Sequence, residues 1–421
     1  MIEPSRREEL AAFYRQHIEK QILPFWHRAI DREFGGVFTC YSNSGEELVS
    51  TDKYTWSQGR YLWLWSKIVP MIRKGLISGD EAPYLEQLER TATFIESHAF
   101  LESGSCAFLL NREGEKREPI SGSGYDTSIF ADCFVVLGLS EYAGLSGDAK
   151  RLETALSLYR HIRHRLESGE VRSEPYPVPE GYRTHSFPMI LLNVAQSVWR
   201  ASAALNRKKE AEEIHDHCRI YMNEIMERFR KGDRIVELLP EREELEDTLL
   251  ARHVNPGHAL ESMWFVMHTA RDNGEEKIIR QAADVIHGAI RRGWDEQYGG
   301  LFRFVDSDGR EPAGRPGSPP SRQEELITDT WDLKLWWPHS EALYSTLLAY
   351  ELTGDERMID HYHRMETYVF NTFPHPDPEV GEWIQIRDRK GEPLEKVVAL
   401  PVKDPFHILR NLLLILELLK R

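Results

Sequence analysis

Two kinds of helical pattern alternate along the chain. One is amphipathic and charged: residues 5–29, 81–99, 147–167, 208–231, 274–293 and 355–371 put Leu, Ile or Tyr at i, i+3, i+4 on one side and charged residues on the other. The second is apolar almost all round, at 56–73, 126–144, 187–205, 257–272, 339–353 and 405–420. A helix without a polar face is buried by neighbours on every side, and a one-sided charged helix is suited to cover it. Six of each in alternation predict an all-α (α/α)6 barrel, a ring of inner helices inside a ring of outer ones. Asp126, Pro188, Pro256, Pro338 and Pro405 mark the starts of inner segments, as a capping carboxylate or a residue without an N–H should.

Between the helices one cassette recurs. Residues 31–38 (DREFGGVF) are followed by Asn43-Ser-Gly45, and residues 295–302 (DEQYGGLF) by Asp308-Gly309. Weaker copies lie at 102–108 with 112–114 and at 379–384 with 389–391, and polar stretches at 169–175 and 234–240 supply two more. A Gly turn, a short alternating piece and a second turn read as a small hairpin. Six such units call for a repeat architecture with short β-hairpins in the loops at one mouth, and a single domain over 1–421. The Pro/Gly-rich run 312–320 (PAGRPGSPP) reads as a surface loop.

Composition narrows the partners. With 68 Asp+Glu against 53 Lys+Arg the chain carries a net charge of −15, which speaks against nucleic acid, whose binding rests on clustered positive charge. Cys40, Cys106, Cys133 and Cys218 have no metal-ribbon or disulfide spacing and read as reduced thiols of a cytoplasmic protein. The N-terminal residues lack the apolar core of an export signal, and the apolar run at 408–419 is interrupted by Arg410, Asn411 and Glu417, so no membrane segment is expected.

Closing the ring brings the N-terminal ends of the inner helices to one mouth, where polar residues gather. Arg60 lies one turn into an apolar helix among Trp56, Trp63 and Trp65. A cation there needs a ligand or a buried anion, such as Asp52. His258 and Glu261 share a helix face at i, i+3, and a carboxylate beside an imidazole fixes its tautomer. His339 with Glu341, and His407 with Arg410, stand at nearly the same repeat phase. Aromatic residues at such a mouth suit the C–H face of a sugar. His215-Asp-His217-Cys218 and His361-Tyr-His363 diverge around their helices and read as solvated outer faces; no set along the chain has metal-ligand spacing.

In order and spacing, the runs TDKYTWSQGRYLW, VNPGHALESMWF, YGGLFRFVDSDG, DLKLWWPHSEALYSTLLAYELTG and DPFHILRNLL resemble the N-acylglucosamine 2-epimerase family, over essentially the whole chain. The resemblance implies an (α/α)6 barrel that interconverts N-acetylglucosamine and N-acetylmannosamine by exchanging the C2 proton. It implies His258 and His407 as the acid/base pair, Arg60 as stabiliser of developing charge, and Glu261 as partner of His258. Asn193, His339, Trp337, Tyr54, Trp56 and Arg410 are expected around the sugar. No metal or nicotinamide is implied; a homodimer is, with ATP as an activator in some members. Ile408-Leu409 departs from the Val-Pro that relatives often carry there.

The chemistry stands without the name. A C2 proton beside an aldehyde needs a base of near-neutral pKa and a stabilised enediolate oxygen, and inversion needs a donor on the opposite face. The alternatives are an epimerase or isomerase of unsubstituted mannose or glucose, a glycosidase using two of Asp126, Glu261, Glu341 and Asp404, and a non-catalytic sugar binder.

Overall fold

The computed structural model describes residues 3–398 and 400–420, so the two ends of the expected 1–421 unit lie outside the described residues. The inner helices are Thr55–Arg73, Ile129–Ser146, Ser186–Ala204, Pro256–Asp272, Trp336–Thr353 and Pro405–Leu419. Each packs on the next, and the sixth returns to the first, closing the (α/α)6 ring. Five are followed by their outer cover: Ala82–His98, Ala149–Ser168, Lys208–Glu224, Glu276–Gly293 and Glu356–Thr372. The sixth is covered by the first helix of the chain, Pro4–His17.

Close backbone approach sets the seam between the first and second inner helices. A Cβ on Gly59 would lie 2.2 Å from the Phe134 carbonyl oxygen, and one on Gly138 would lie 2.4 Å from that of Gly59. Two glycines thus let the first and second inner helices meet backbone to backbone. By length and composition alone, Ile129–Ser146 could cross a membrane; here it is an inner helix, mostly buried by its neighbours.

The recurring cassette is a bracket. Asp31 accepts from the amides of Glu33 and Phe34, and the double glycine turns back with φ of 88° and 77°. The carboxylate then holds Lys53 Nζ at 2.9 Å, just before the first inner helix, while Arg112 closes from the next hairpin. Asp295, Lys334 and Arg389 repeat the arrangement ahead of the fifth inner helix. Burial presses the Lys334 ammonium down to about 8, partly offset by Asp295, whose carboxyl is held at about 2 against burial by Arg389 and Lys334.

Short strands occur, but most join distant segments and do not close the expected hairpins: 53–54 pairs with 109–110, 253–254 with 305–306, and 334–335 with 386–387, whereas local hairpins join 109–110 with 116–117 and 230–231 with 234–235. Several expectations need correction. The stretch 169–175 forms no strand, only an isolated bridge from Ser173 to Ser128. Asp126 does not start the second inner helix, because Arg165 holds it 2.9 Å away and the helix begins at Ile129. After the loop at 312–320 comes a helix absent from the periodicity, Arg322–Thr330, capped reciprocally by Ser321 and Glu324. Its Ile327 joins Leu238, Leu249, Leu250 and Phe304 in a small apolar cluster. His217 is buried against Tyr159 and Arg163, and His361 is hydrogen-bonded to His287, so neither is on a solvated face.

Candidate active site

The inner helices contribute by position. Counted from each helix start, the second residues are Trp56, Phe130, Phe187, Gly257, Trp337 and Phe406, an aromatic collar with one gap. Trp337 fills that gap: a Cβ on Gly257 would meet its ring at 2.4 Å. His258 and His407 are third residues; Arg60, Glu261, Glu341 and Arg410 are sixth residues. Third and sixth positions share a face, so the imidazoles and the charged residues line the same side of their helices.

Both imidazoles are held in the same way. His258 Nδ1 lies 2.8 Å from Glu237 Oε1, and His407 Nδ1 lies 2.8 Å from Glu341 Oε1. An ionised carboxylate only accepts, so each Nδ1 carries a proton, and Nε2 is the atom left to take one up or give one away. The two rings flank one indole, with Trp337 at 5.2 Å from His258 and 5.6 Å from His407. Burial works against charge on His258, but Glu237, helped by Glu261, outweighs it and raises the imidazole above its ordinary value. Glu237 is itself buried, yet His258 and His185 hold it well below the carboxylate range.

Glu261 is therefore not the hydrogen-bond partner of His258 expected from the sequence; Glu237 is. Glu261 accepts from Arg410 Nη2 at 2.5 Å, and the same nitrogen donates to Glu341 at 2.6 Å. Glu341 is also fixed by Trp264 Nε1 at 2.7 Å, and its carboxyl stays low because Arg410 and His407 overcome its burial. Arg410, expected against the sugar, is 1% exposed and clamps two carboxylates behind His407. Ligand atoms of Glu261, Glu341 and His407 fall within 4.8 Å of one another, a group of metal-ligand type assembled from three helices and invisible in sequence spacing. The guanidinium of Arg410 already supplies the positive charge between its two carboxylates.

Arg60 donates to Asp404 Oδ2 at 2.8 Å, so its counter-ion is the cap of the sixth inner helix and not Asp52, which lies beside Arg117. Its guanidinium lies 4.0 Å from the Phe134 ring centroid and is flanked by Trp56 and Phe406. Asn193 is buried without a hydrogen-bond partner for its side chain among the described residues, leaving its amide for a ligand. Tyr54 stands at the rim, edge-on to Phe108. His339 does not reach the cavity: Nδ1 donates to the Leu335 carbonyl at 2.5 Å, Nε2 accepts from the Leu301 amide at 2.8 Å, and the ring stacks on Tyr368. Burial pushes its pKa down to about 3. Glu237 escaped the sequence reading, though a Glu inside Ile235-Val-Glu-Leu-Leu239 is a legible signal, since a carboxylate in an apolar run demands a partner.

A family model described as N-acylglucosamine 2-epimerase (GlcNAc 2-epimerase) matches residues 36–410. The chain is 29% identical over 411 residues to the N-acylglucosamine 2-epimerase of Bos taurus, covering 95% of this chain and 89% of that protein. Among solved structures, a sugar epimerase from a ruminal bacterium superposes with a TM-score of 0.75 at 18% identity, covering 97% of this chain and 98% of that one. A D-mannose isomerase superposes at 0.73 and 16% identity, with the same coverage. At these identities the solved structures speak for the fold.

Proposed function

The chain belongs to the N-acylglucosamine 2-epimerase family, and from that premise we propose that it interconverts N-acetylglucosamine and N-acetylmannosamine by moving the C2 proton between two histidines. The observation that carries this reading is the pair of imidazoles, each donating Nδ1–H to a carboxylate and both lying beside Trp337.

In the ring-opened N-acetyl sugar, one Nε2 takes the C2 proton and the electrons move onto the C1 oxygen, giving an enolate whose C2 carries the acylamino group. The opposite imidazole, which enters the cycle as an imidazolium with a second proton on Nε2, gives that proton to the other face of C2 as the electrons return from the C1 oxygen, and C2 is inverted. Glu237 and Glu341 stabilise each imidazolium as it forms without leaving their hydrogen bonds. Arg60, held by Asp404 among aromatic rings, is the cation available to the enolate oxygen on C1. In water-poor surroundings such a charge acts strongly.

A glycosidase needs two carboxylates flanking the scissile bond. Here Glu261 and Glu341 are spent on Arg410, Asp126 on Arg165 and Asp404 on Arg60. The remaining alternative is the same proton transfer on unsubstituted mannose or glucose. A homodimer in a cytoplasmic setting, with ATP as an activator and not a reactant, belongs to the proposal and is read by sedimentation and nucleotide titration.

The test is C2 proton exchange in deuterated water, followed by NMR with N-acetylmannosamine and with mannose. The wild-type protein should exchange and invert the N-acetylated sugar. His258→Asn and His407→Asn should each cut epimerisation by about 10²–10⁴. Each variant should keep exchange with one epimer only, opposite ones in the two. Near wild-type inversion by either variant overturns the two-base assignment.

A further inference from the structure

One buried cation near His258 has no anion. Arg303 is 7% exposed and pairs with no carboxylate among the described residues. Its Nη1 donates to Thr330 Oγ1 at 3.0 Å and its Nη2 to the Val398 carbonyl at 3.2 Å. Tyr176 is a third partner, and its hydroxyl donates to the same carbonyl at 3.0 Å. Three neutral groups thus face a guanidinium that offers five N–H donors. Burying an arginine in this way is costly unless something else accepts its hydrogen bonds.

The location gives that acceptor a chemistry. Residues 253–254 pair antiparallel with 305–306, in the register Val254↔Val305. Arg303 thus stands two residues before this pairing, and the helix that carries His258 begins at Pro256, two residues after it. The positive field of Arg303 reaches the His258 imidazole, and burial presses the guanidinium itself down to about 10. A base that removes the C2 proton sits against C2, so the substituent on C2 lies in the same neighbourhood. In an N-acyl sugar that substituent ends in a carbonyl oxygen, a strong acceptor that needs a donor once it is out of water.

We propose that Arg303 is the specificity-determining residue for the N-acyl group, donating its unshared N–H groups to the acyl carbonyl oxygen. The inference rests on the epimerase reading above and deepens it. Tyr176 and Val398 come from two different loops and Thr330 from the end of the helix Arg322–Thr330, so the acyl site completes only when these three segments meet.

The experiment compares kcat/KM for N-acetylmannosamine and its N-thioacetyl analogue, whose sulfur is a poor acceptor, in wild type, Arg303→Met and Arg303→Lys. A hydrogen bond from a charged donor predicts a loss of about 10-fold or more on the sulfur swap in wild type. Arg303→Met should lose about 10²-fold on the N-acetyl sugar and bring the oxygen-to-sulfur ratio close to one, with Arg303→Lys in between. If Arg303 merely staples the loops, both substrates fall by the same factor and the wild-type ratio survives in the variants, which overturns the proposal. Should Arg303→Met fail to fold, the lysine variant still decides: a ratio equal to wild type overturns it. Wild-type protein that exchanges neither analogue fails the epimerase reading itself, a distinct result that removes this inference with it.

Discussion

Replacing Glu237 by Gln tests the site at the partner that the sequence did not reveal. The substitution keeps the shape and removes the charge 2.8 Å from His258 Nδ1. A hydrogen bond to a buried charged group contributes about 1.5–3 kcal/mol. If that stabilisation accompanies proton transfer, the C2 exchange rate should fall by roughly 10- to 150-fold, at about 1.4 kcal/mol per decade. Burial, aided by Arg303 and opposed only by Glu261, then governs the imidazole, so the His258 limb of the pH–rate profile should move to lower pH. Stability carries its own sign. The His258 value is raised above 6.5, so the stabilisation it lends is full below 6.5 and is lost as pH rises through the folded value. The Glu237 value is depressed below 4.5, so its share is present above 4.5 and is lost as pH falls through the folded value. The melting-temperature deficit of Glu237→Gln should therefore be largest in the window between 4.5 and 6.5 and smaller at alkaline pH. Melting curves and NMR exchange rates across that range read both effects. An unshifted pH profile together with an equal deficit at acid and alkaline pH would refute the reasoning.

Arg60→Ala should leave the fold intact and lower turnover by about 10²–10³, the usual effect of removing one charge stabiliser; unchanged turnover with a lower melting temperature would make the Asp404 pair merely structural. EDTA should leave epimerisation unaffected, because Arg410 supplies the cation between Glu261 and Glu341, and activity lost on chelation but restored by one divalent ion would contradict this. Gly59→Ala should destabilise the protein by about 1–3 kcal/mol or more, since its methyl would overlap the Phe134 carbonyl; a melting temperature equal to wild type would mean that the seam can open without cost.

The helices were legible because burial is written into periodicity: charged one-sided segments alternate with apolar ones, and the observed ranges follow within a few residues. Arg60, His258 and His407 were legible for the converse reason, as polar groups in helices that otherwise exclude them. What the chain does not spell out is partnership. Glu237 lies 21 residues before His258, and Glu341 lies 66 before His407, so only the closed ring joins them. The helix Arg322–Thr330 was hidden by its length, although its Ser321/Glu324 capping pair was readable. Arg410 looked like a sugar contact because motif spacing says nothing of depth.

His339 shows what the positional order of the inner helices means for how these sequences can change. It is the fourth residue of its helix where His258 and His407 are the third. One residue turns a helix by about 100°, and that turn is enough to take an imidazole from the cavity into the wall. An insertion or deletion between the start of an inner helix and its sixth residue would do to a catalytic side chain what that offset does to His339. It would also part the sixth residue from its charged neighbours. The first two turns of each inner helix should therefore tolerate substitution but not a change of length, and length variation should be confined to the loops, such as the exposed run at 312–320.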